Sequence, residues 1–221
     1  IWTSSDYGVS WSSRATALNW FSVSLSSTGQ YQSAVVYTTG NIWTSSDFGV
    51  TWTSRATALS WYSVSLSSTG QYQTAAVTGT GSIWTSSDYG VTWMSRVTSQ
   101  DWFSVSLSST GQYQTATRES GTIFTSTNYG VTWVQRSTAT RTNAFTRVRS
   151  SASGQYQLAT SGPTGNTNGQ LYVSSDYGRT WMPRRGLGTW LGGAVSATGA
   201  VMTTFSTPTA SSAAIIRSTD Y

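Results

Sequence analysis

The acidic side chains are the first candidates for chemistry, and they are few. The 221 residues include only seven Asp and Glu, with no His and no Cys. Histidine-based acid–base catalysis and zinc sites with His or Cys ligands are therefore excluded. Glycoside hydrolysis stays open, because it needs only two carboxyl groups at a defined separation. We expect no cofactor and no metal ion.

Five of the seven acids occupy one position of a repeated motif. Its clearest copy is Ser86-Ser87-Asp88-Tyr89-Gly90-Val91-Thr92-Trp93, and near copies begin at Ser4, Ser45, Ser126 and Ser174, while a truncated one begins at Ser218. The third residues of the copies are Asp6, Asp47, Asp88, Asn128, Asp176 and Asp220, at spacings of 41, 41, 40, 48 and 44. A period near 40 predicts repeats of one supersecondary unit.

The motif itself predicts a tight turn between two short strands. Its flanks are β-branched, aromatic and hydroxyl-rich, as in Ile83-Trp84-Thr85, and its Asp and Gly are turn-forming residues. Asn128 would preserve a turn but not a catalytic carboxylate, so a structural role is indicated. The closing tryptophans are large apolar groups, which we interpret as wedges between repeats rather than as platforms for a ligand. They are Trp11, Trp52, Trp93, Trp133 and Trp181.

The pattern Ser-x-Asp-x-Gly-x-Thr-Trp at this spacing resembles the Asp-box, or BNR repeat. That motif occurs in the β-propellers of sialidases, xyloglucan-cleaving glycosidases, sortilin-type receptors and photosystem assembly factors. The resemblance implies that each box lies on a peripheral turn between the third and fourth strands of a four-stranded blade. The expected fold is therefore an all-β β-propeller of four-stranded antiparallel blades.

The repeats divide the chain into a single propeller domain, residues 1–221, with a partial unit at each end. The approximate units are 1–19, 20–60, 61–101, 102–144, 145–189 and 190–221. If the two partial units share one blade, the ring closes with five blades, within the usual range. A strand at 213–218 would then compete with residues 1–5 for one place. A segment of a larger propeller is therefore the alternative.

The composition is typical of a turn-dense all-β domain. Only 9% of the residues are charged, whereas 37% are hydrophobic and 14% are aromatic, which provides enough apolar surface for a core. No run of 18 apolar residues is present, so no membrane span is expected.

The basic residues are all arginine, and the formal net charge is +5. Five follow the box tryptophan at a fixed spacing, which indicates a structural role: Arg14, Arg55, Arg96, Arg136 and Arg184. The rest are too few and too scattered to predict a nucleic-acid site: Arg118, Arg141, Arg147, Arg149, Arg179, Arg185 and Arg217.

Enzymatic activity is not expected. The resemblance to sialidases implies three arginines on the substrate carboxylate, a tyrosine nucleophile activated by Glu, and an Asp acid. Only Asp101 and Glu119 lie outside the boxes, and the Phe/Tyr-Arg-Ile-Pro motif of sialidases is missing. A glycoside hydrolase is the least favoured alternative.

A glycan-binding module outside the cell, or on a cell or virion surface, is the favoured function. Flat aromatic faces and planar amides suit sugars, and both recur in each Gly-Gln-Tyr-Gln turn. The candidate ligand-binding residues are Tyr31, Tyr72, Tyr113, Tyr156, Gln30, Gln71, Gln112 and Gln155. Alternatively, these tyrosines cover blade edges and the glutamines satisfy turn backbones. A structural subunit of a surface fibre, filament or virion, with other subunits as partners, is the second interpretation.

Overall fold

A computed structural model describes residues 1–138, 145–162, 169–207 and 215–218. These residues form twenty β-strands and no helix, and hence no helix that could cross a membrane. The first ten strands are β1 (Trp2–Thr3), β2 (Ser12–Ser13), β3 (Trp20–Leu25), β4 (Gln32–Val36), β5 (Gly40–Ser45), β6 (Thr53–Leu59), β7 (Trp61–Leu66), β8 (Gln73–Val77), β9 (Gly81–Ser86) and β10 (Met94–Gln100). The others are β11 (Trp102–Leu107), β12 (Gln114–Arg118), β13 (Thr122–Ser126), β14 (Val134–Thr138), β15 (Phe145–Ser150), β16 (Gln157–Ser161), β17 (Gly169–Ser174), β18 (Met182–Val195), β19 (Met202–Thr207) and β20 (Ile215–Ser218).

The strands form consecutive antiparallel blades. β3–β6, β7–β10 and β11–β14 are three four-stranded sheets in sequence order, and β15–β18 form a fourth set of four. The predicted β-propeller of four-stranded antiparallel blades is confirmed. Within the described ranges no hydrogen-bonded ladder joins the isolated pair β1–β2 to β18–β20, so a fifth blade completed by both chain ends stays a prediction.

Strand β18 links the fourth blade to the C-terminal unit without a break. Its first half pairs with β17, as in Gly188 opposite Gly169, and its second half pairs with β19, as in Thr189 opposite Thr207. The unit boundary expected at 189/190 therefore lies inside one continuous strand. The predicted strand residues 213–214, Arg141 and the truncated box residue Asp220 lie outside the described residues.

The hydrophobic core lies between successive blades. In the interface between the first two complete blades, Trp61, Val64 and Leu66 of β7 pack with Val35 and Ile42 of the preceding blade. Similar clusters occupy the next interfaces. Since each face of a blade is covered by its neighbour, the inner strands alternate large apolar residues with serines.

In three blades a buried glutamine at the start of the second strand ties that blade to the preceding one. The Nε2 of Gln73 donates to the carbonyl oxygen of Gly70 at 3.0 Å, and its Oε1 accepts from Ser33 Oγ of the preceding blade at 2.6 Å. The equivalent Gln114 and Gln157 accept from Thr74 and Thr115. One amide thus satisfies a turn and an inter-blade contact in a dry interface, where an unpaired polar group is costly.

Serine hydroxyls on the inner strands make a second set of inter-blade bonds. Ser22 Oγ of β3 accepts from the backbone N–H of Val64 at 3.4 Å, and Ser63 Oγ accepts from Val105 N–H at 3.2 Å. These N–H groups lie on the first strand of the following blade, which faces the axis. A serine hydroxyl is short enough to reach the N–H of the neighbouring strand from these positions.

The box glycine is wedged into the same interface. A Cβ built on Gly90 would lie 2.7 Å from Gln73 Oε1 and 2.8 Å from Thr44 Cγ2 of the preceding blade, at a φ of +81°. Gly8, in the first box, has a φ of +85° but only Trp11 Cζ2 nearby, at 4.0 Å. In a box that packs on a preceding blade, only glycine fits, because the backbone has a positive φ and because a Cβ would overlap the neighbouring side chains.

Gly90→Ala and Gly8→Ala separate these two reasons. The left-handed backbone costs alanine about 1–2 kcal/mol at either position, whereas overpacking adds about 1–3 kcal/mol at Gly90 alone. We therefore expect Gly90→Ala to reduce the free energy of unfolding by more than Gly8→Ala does. Denaturant titration of both variants measures the difference, and equal losses would contradict the wedge.

Candidate binding site

Each box is a closed hydrogen-bonded turn around its acidic side chain. In the third box, Ser86 Oγ donates to Asp88 Oδ1 at 2.8 Å and accepts from Gly90 N–H at 2.9 Å. Asp88 also accepts from the N–H and hydroxyl of Thr92, at 2.9 and 2.7 Å. The carboxylate therefore organises its own turn.

The residues between Asp and the closing Trp adopt an unusual backbone. Both the aromatic residue and the following glycine have positive φ, for example +62° at Tyr89 and +81° at Gly90. The sequence predicted this conformation for glycine only. The aromatic residue tolerates it because the turn is held from both sides by the serine and aspartate bonds.

The box with asparagine preserves the turn with one bond reversed. Asn128 Oδ1 accepts from Thr132 N–H at 2.9 Å, as aspartate does, but Asn128 Nδ2 donates to Thr132 Oγ1 at 2.9 Å. The threonine hydroxyl can serve as donor or acceptor. The structural interpretation of the Asn128 substitution is consistent with this geometry.

The same hydrogen bonds lower the pKa values of the box aspartates. Hydrogen bonds from Ser10 and Ser4 lower the pKa of Asp6 from 3.8 to about 2, and those from Thr51 and Ser45 lower the pKa of Asp47 to about 2. At Asp88, burial acts to raise the pKa, but the bonds from Thr92 and Ser86 outweigh it and the pKa is lowered.

The tryptophan that closes each box hydrogen-bonds within its own turn, and in four of the five boxes the arginine three residues later bonds to the adjacent strand. Trp93 Nε1 donates to the carbonyl oxygen of Gly90 at 2.9 Å, and its ring packs against the core between the first two complete blades. Arg96 Nε donates to Thr85 Oγ1 at 2.8 Å on the adjacent strand, a bond that recurs in the other boxes whose third strand has this threonine. In the fifth box Val173 replaces this threonine, so the equivalent Arg184 has no threonine hydroxyl to donate to there.

The candidate tyrosines of the Gly-Gln-Tyr-Gln turns lie at the rim that also carries the boxes, here called the box rim. All four are half-buried, and three of them stack on the box tyrosine of the following blade, with ring centroids 4.3–4.5 Å apart. The pairs are Tyr31 with Tyr89, Tyr72 with Tyr129, and Tyr113 with Tyr177. The fourth, Tyr156, lies against the turn glycine Gly199. These contacts hold blades together, and a ligand role for the tyrosines stays a prediction.

The first glutamines of these turns act mainly through their backbone. The carbonyl oxygens of Gln30, Gln71, Gln112 and Gln155 each accept from the N–H of a box aromatic residue at 3.1–3.2 Å. The four side chains are half-buried at the box rim. Their role as ligand-binding residues likewise stays a prediction.

The two acids outside the boxes lie together at the opposite rim. Asp101 accepts from Thr78 Oγ1 at 2.7 Å and from Gly79 N–H at 2.6 Å. A hydrogen bond between the two carboxyl groups raises the pKa of Glu119, while Asp101, despite its burial, has a lowered pKa because Glu119, Thr78 and Gly79 donate to it. Among the described residues, no group of three His, Cys, Asp or Glu could hold a metal ion.

The inner strands enclose a polar cavity of about 410 Å³. Its wall contains the serine hydroxyls of the first strands of the blades, together with two guanidinium groups, those of Arg147 and Arg149 on β15. The serines that line it are Ser22, Ser24, Ser63, Ser65 and Ser106. This central cavity combines hydroxyl groups with positive charge.

Aromatic side chains form a row beside the central cavity, toward the rim opposite the boxes. Phe21 and Tyr62 line the cavity and have ring centroids 4.3 Å apart, and Phe103 continues the row 4.4 Å from Tyr62. The guanidinium carbon of Arg147 lies 5.8 Å from the Tyr62 ring centroid, within reach of a cation–π contact. This aromatic row (Phe21, Tyr62, Phe103) is half-exposed to exposed.

Comparisons with known proteins agree with this architecture. The BNR-Asp box repeat model matches residues 42–54, and none of the curated protein sequences compared with the chain matches it. The GH74 xyloglucanase from Xanthomonas campestris superimposes with a TM-score of 0.71 at 13% identity, over 91% of this chain and 37% of that one. The GH74 enzyme from Niastella koreensis gives 0.64 at 19% identity, over 95% and 31%. Hydrazine synthase from Kuenenia stuttgartiensis gives 0.73 at 11% identity, over 89% and 58%.

This chain is an Asp-box β-propeller. It spans about a third of the length of the two GH74 chains, and at these identities the likeness extends to the fold alone.

The sequence reasoning missed the central cavity of the propeller. The first strands alternate large and small residues, as in Trp20-Phe21-Ser22-Val23-Ser24-Leu25, but alternation alone does not say which face looks toward the axis. One signal was available: in aligned units, Arg147 and Arg149 replace Ser22 and Ser24. Two charges at positions that otherwise carry serine mark a departure from the structural pattern.

The depressed pKa values predict acid sensitivity of the Asp-box β-propeller. Carboxylates with lowered pKa stabilise the fold fully above their ordinary pKa near 3.8, and this contribution is lost as the pH falls toward about 2. In Asp47→Asn/Asp88→Asn, which copies the Asn128 box, the melting temperature should fall less between about pH 5 and about pH 2. The converse variant Asn128→Asp should fall more. Thermal unfolding measures both, and unchanged pH profiles would contradict the assignment.

Proposed function

We propose that the propeller is a non-enzymatic recognition module that binds glycans at the central cavity. The observation that carries this proposal is the aromatic row, which lies against a wall of serine hydroxyls. Sugar rings present C–H faces that pack on aromatic rings, and hydroxyl groups that pair with serine and arginine donors. A module of this kind acts outside the cell or on a cell or virion surface, where glycans are displayed.

The placement of the acids supports binding without hydrolysis. Glycosidases hold their two carboxyl groups about 5 Å or more apart on either side of the scissile bond. Here the carboxyl groups of Asp101 and Glu119 share a hydrogen bond, and Asp101 also accepts from Thr78 and Gly79, which leaves no room between the two acids for a substrate. The box aspartates are each held within their own turn at the box rim.

Tyr62→Ala and Phe103→Ala test the central site against the tyrosines at the box rim. Removal of a stacking ring should weaken glycan affinity about tenfold. Tyr113→Ala is the matched control, because it removes an equally half-buried tyrosine ring that stacks on Tyr177. It should lower stability and leave affinity unchanged.

A glycan array identifies the ligand, and calorimetry on the best glycan gives the affinities of the three variants. A uniformly flat array would refute glycan binding. Loss of affinity in Tyr113→Ala alone would move the site to the box rim.

One observation favours a structural role as a second candidate function. Val23 and Leu25 of β3 are 56% and 51% exposed, whereas their repeat equivalents Val64 and Leu66 are 5% and 8% exposed. They line an apolar groove of about 610 Å³ that also contains Trp2, Trp11 and Trp20. In the interior of the propeller this face is covered by the preceding blade, so the groove suits the inner strands of another blade.

Leu25→Gln tests this second candidate. If another subunit covers the groove, the substitution should reduce self-association or particle incorporation without loss of the fold, because Leu25 is half exposed. Leu66→Gln at the covered equivalent should instead destabilise the fold. Sedimentation velocity and thermal unfolding distinguish the two variants, and identical sedimentation of Leu25→Gln and wild type over a concentration series would count against self-association.

A further inference from the structure

Two arginines interrupt the serine pattern that joins the inner strands. On the preceding strand β11, Ser104 Oγ and Ser106 Oγ accept from the N–H groups of Val148 and Ser150, at 3.2 and 3.0 Å. On β15 the equivalent positions are Arg147 and Arg149. The acceptor hydroxyls are thus replaced by cations, which have no acceptor atom and cannot continue the pattern.

The two guanidinium groups lie in the central cavity without a compensating charge. Arg147 donates to the carbonyl oxygen of Thr146 at 2.7 Å, and Arg149 donates to that of Val148 at 2.9 Å. Neither forms an ion pair with a carboxylate of the described residues, where the acids are either held in boxes or paired with each other at the opposite rim. Each guanidinium has five N–H groups, so most of them are left for another partner.

The surroundings disfavour two cations unless an anion joins them. Arg149 is exposed to the cavity, but the protein around it partly desolvates the guanidinium and lowers its pKa, and the nearby charge of Arg147 lowers the pKa further. Both effects act against the charged form, yet arginine stays protonated in proteins. Serine would avoid this cost, as Ser22 and Ser24 show at the same positions of β3. A bound anion offsets the repulsion and uses the free donors.

We propose that Arg147 and Arg149 bind an oxyanion group, a carboxylate or a sulfate, carried by an acidic glycan. The glycan part of this inference rests on the proposed function, whereas the oxyanion site rests on the arginine pair alone. The planar guanidinium fork matches the oxygens of either group. With the anion held at β15, the sugar ring lies toward Tyr62, over which Arg147 already lies.

The first experiment tests the oxyanion site with inorganic sulfate. The melting temperature is measured with sodium sulfate and with sodium chloride at equal ionic strength, because a ligand bound only by the folded state raises it. Sulfate stabilises folded proteins in general, so the double variant Arg147→Ser/Arg149→Ser should show only this general effect, whereas wild type should be stabilised by sulfate over chloride to a greater extent. The double variant restores the serines of the other inner strands and so should fold. Arg179→Ser, which removes an exposed charge at the box rim, is the matched control and should respond as wild type does.

Two results of the sulfate experiment overturn the oxyanion site. One is an equal response of the double variant and wild type, and the other is the absence of any sulfate-specific response in wild type. Arg149→Lys is the second variant, which keeps the charge but not the planar fork. It should retain only part of the response.

The second experiment compares an acidic oligosaccharide with its neutral counterpart by calorimetry. Wild type should bind the acidic form about tenfold more tightly or better, and the double variant should lose this preference. Equal binding of both forms to wild type would overturn the acidic-glycan inference while the proposed function stands. Sulfate binding with no saccharide binding would overturn the proposed function while the oxyanion site stands.

Discussion

The buried contact between a glutamine amide and the hydroxyl of the preceding blade is the interaction on which the propeller depends. Gln73 and its equivalents connect three elements at once: their own turn, the second strand of the preceding blade, and the box glycine that packs on the amide. The amide is almost fully excluded from water, so loss of any partner leaves an unpaired buried group. Strand, turn and box are therefore fixed relative to one another by one side chain.

The polar groups of the boxes and those of the central cavity differ in how far the fold uses their hydrogen bonds. At the periphery, aspartate, serine and threonine satisfy one another, so these polar groups are unavailable to a ligand. Along the axis, the serine hydroxyls accept from the next strand, whereas Arg147 and Arg149 of β15 each make one bond to a backbone carbonyl and keep further N–H donors for a ligand. Structural polar groups are thereby distinguished from candidate functional ones by whether the fold already uses their hydrogen bonds.

Much of the fold could be predicted from the sequence, because the box is local. Asp88, Gly90 and Trp93 act within eight residues, and their repetition near a period of 40 predicts the blades and the rim on which each box lies. The left-handed conformation of Tyr89 was not predictable, since a bulky residue there is normally disfavoured. The stacking of Tyr31 on Tyr89 was missed because it joins residues of different blades, 58 positions apart in number. For the same reason, the sequence did not predict that Arg147 lies over the ring of Tyr62.

Near-identical interfaces make the blades interchangeable modules. Apart from the approach of Arg147 to Tyr62 across the cavity, the contacts described above run between neighbouring blades. Duplication of one 41-residue unit in the coding sequence would therefore insert a blade whose two new interfaces already exist. Such an event would leave every local contact intact and widen the axial opening. It would also move the arginine strand away from the aromatic row. Ligand size could therefore change in evolution by copy number, without any substitution in the residues that touch the ligand.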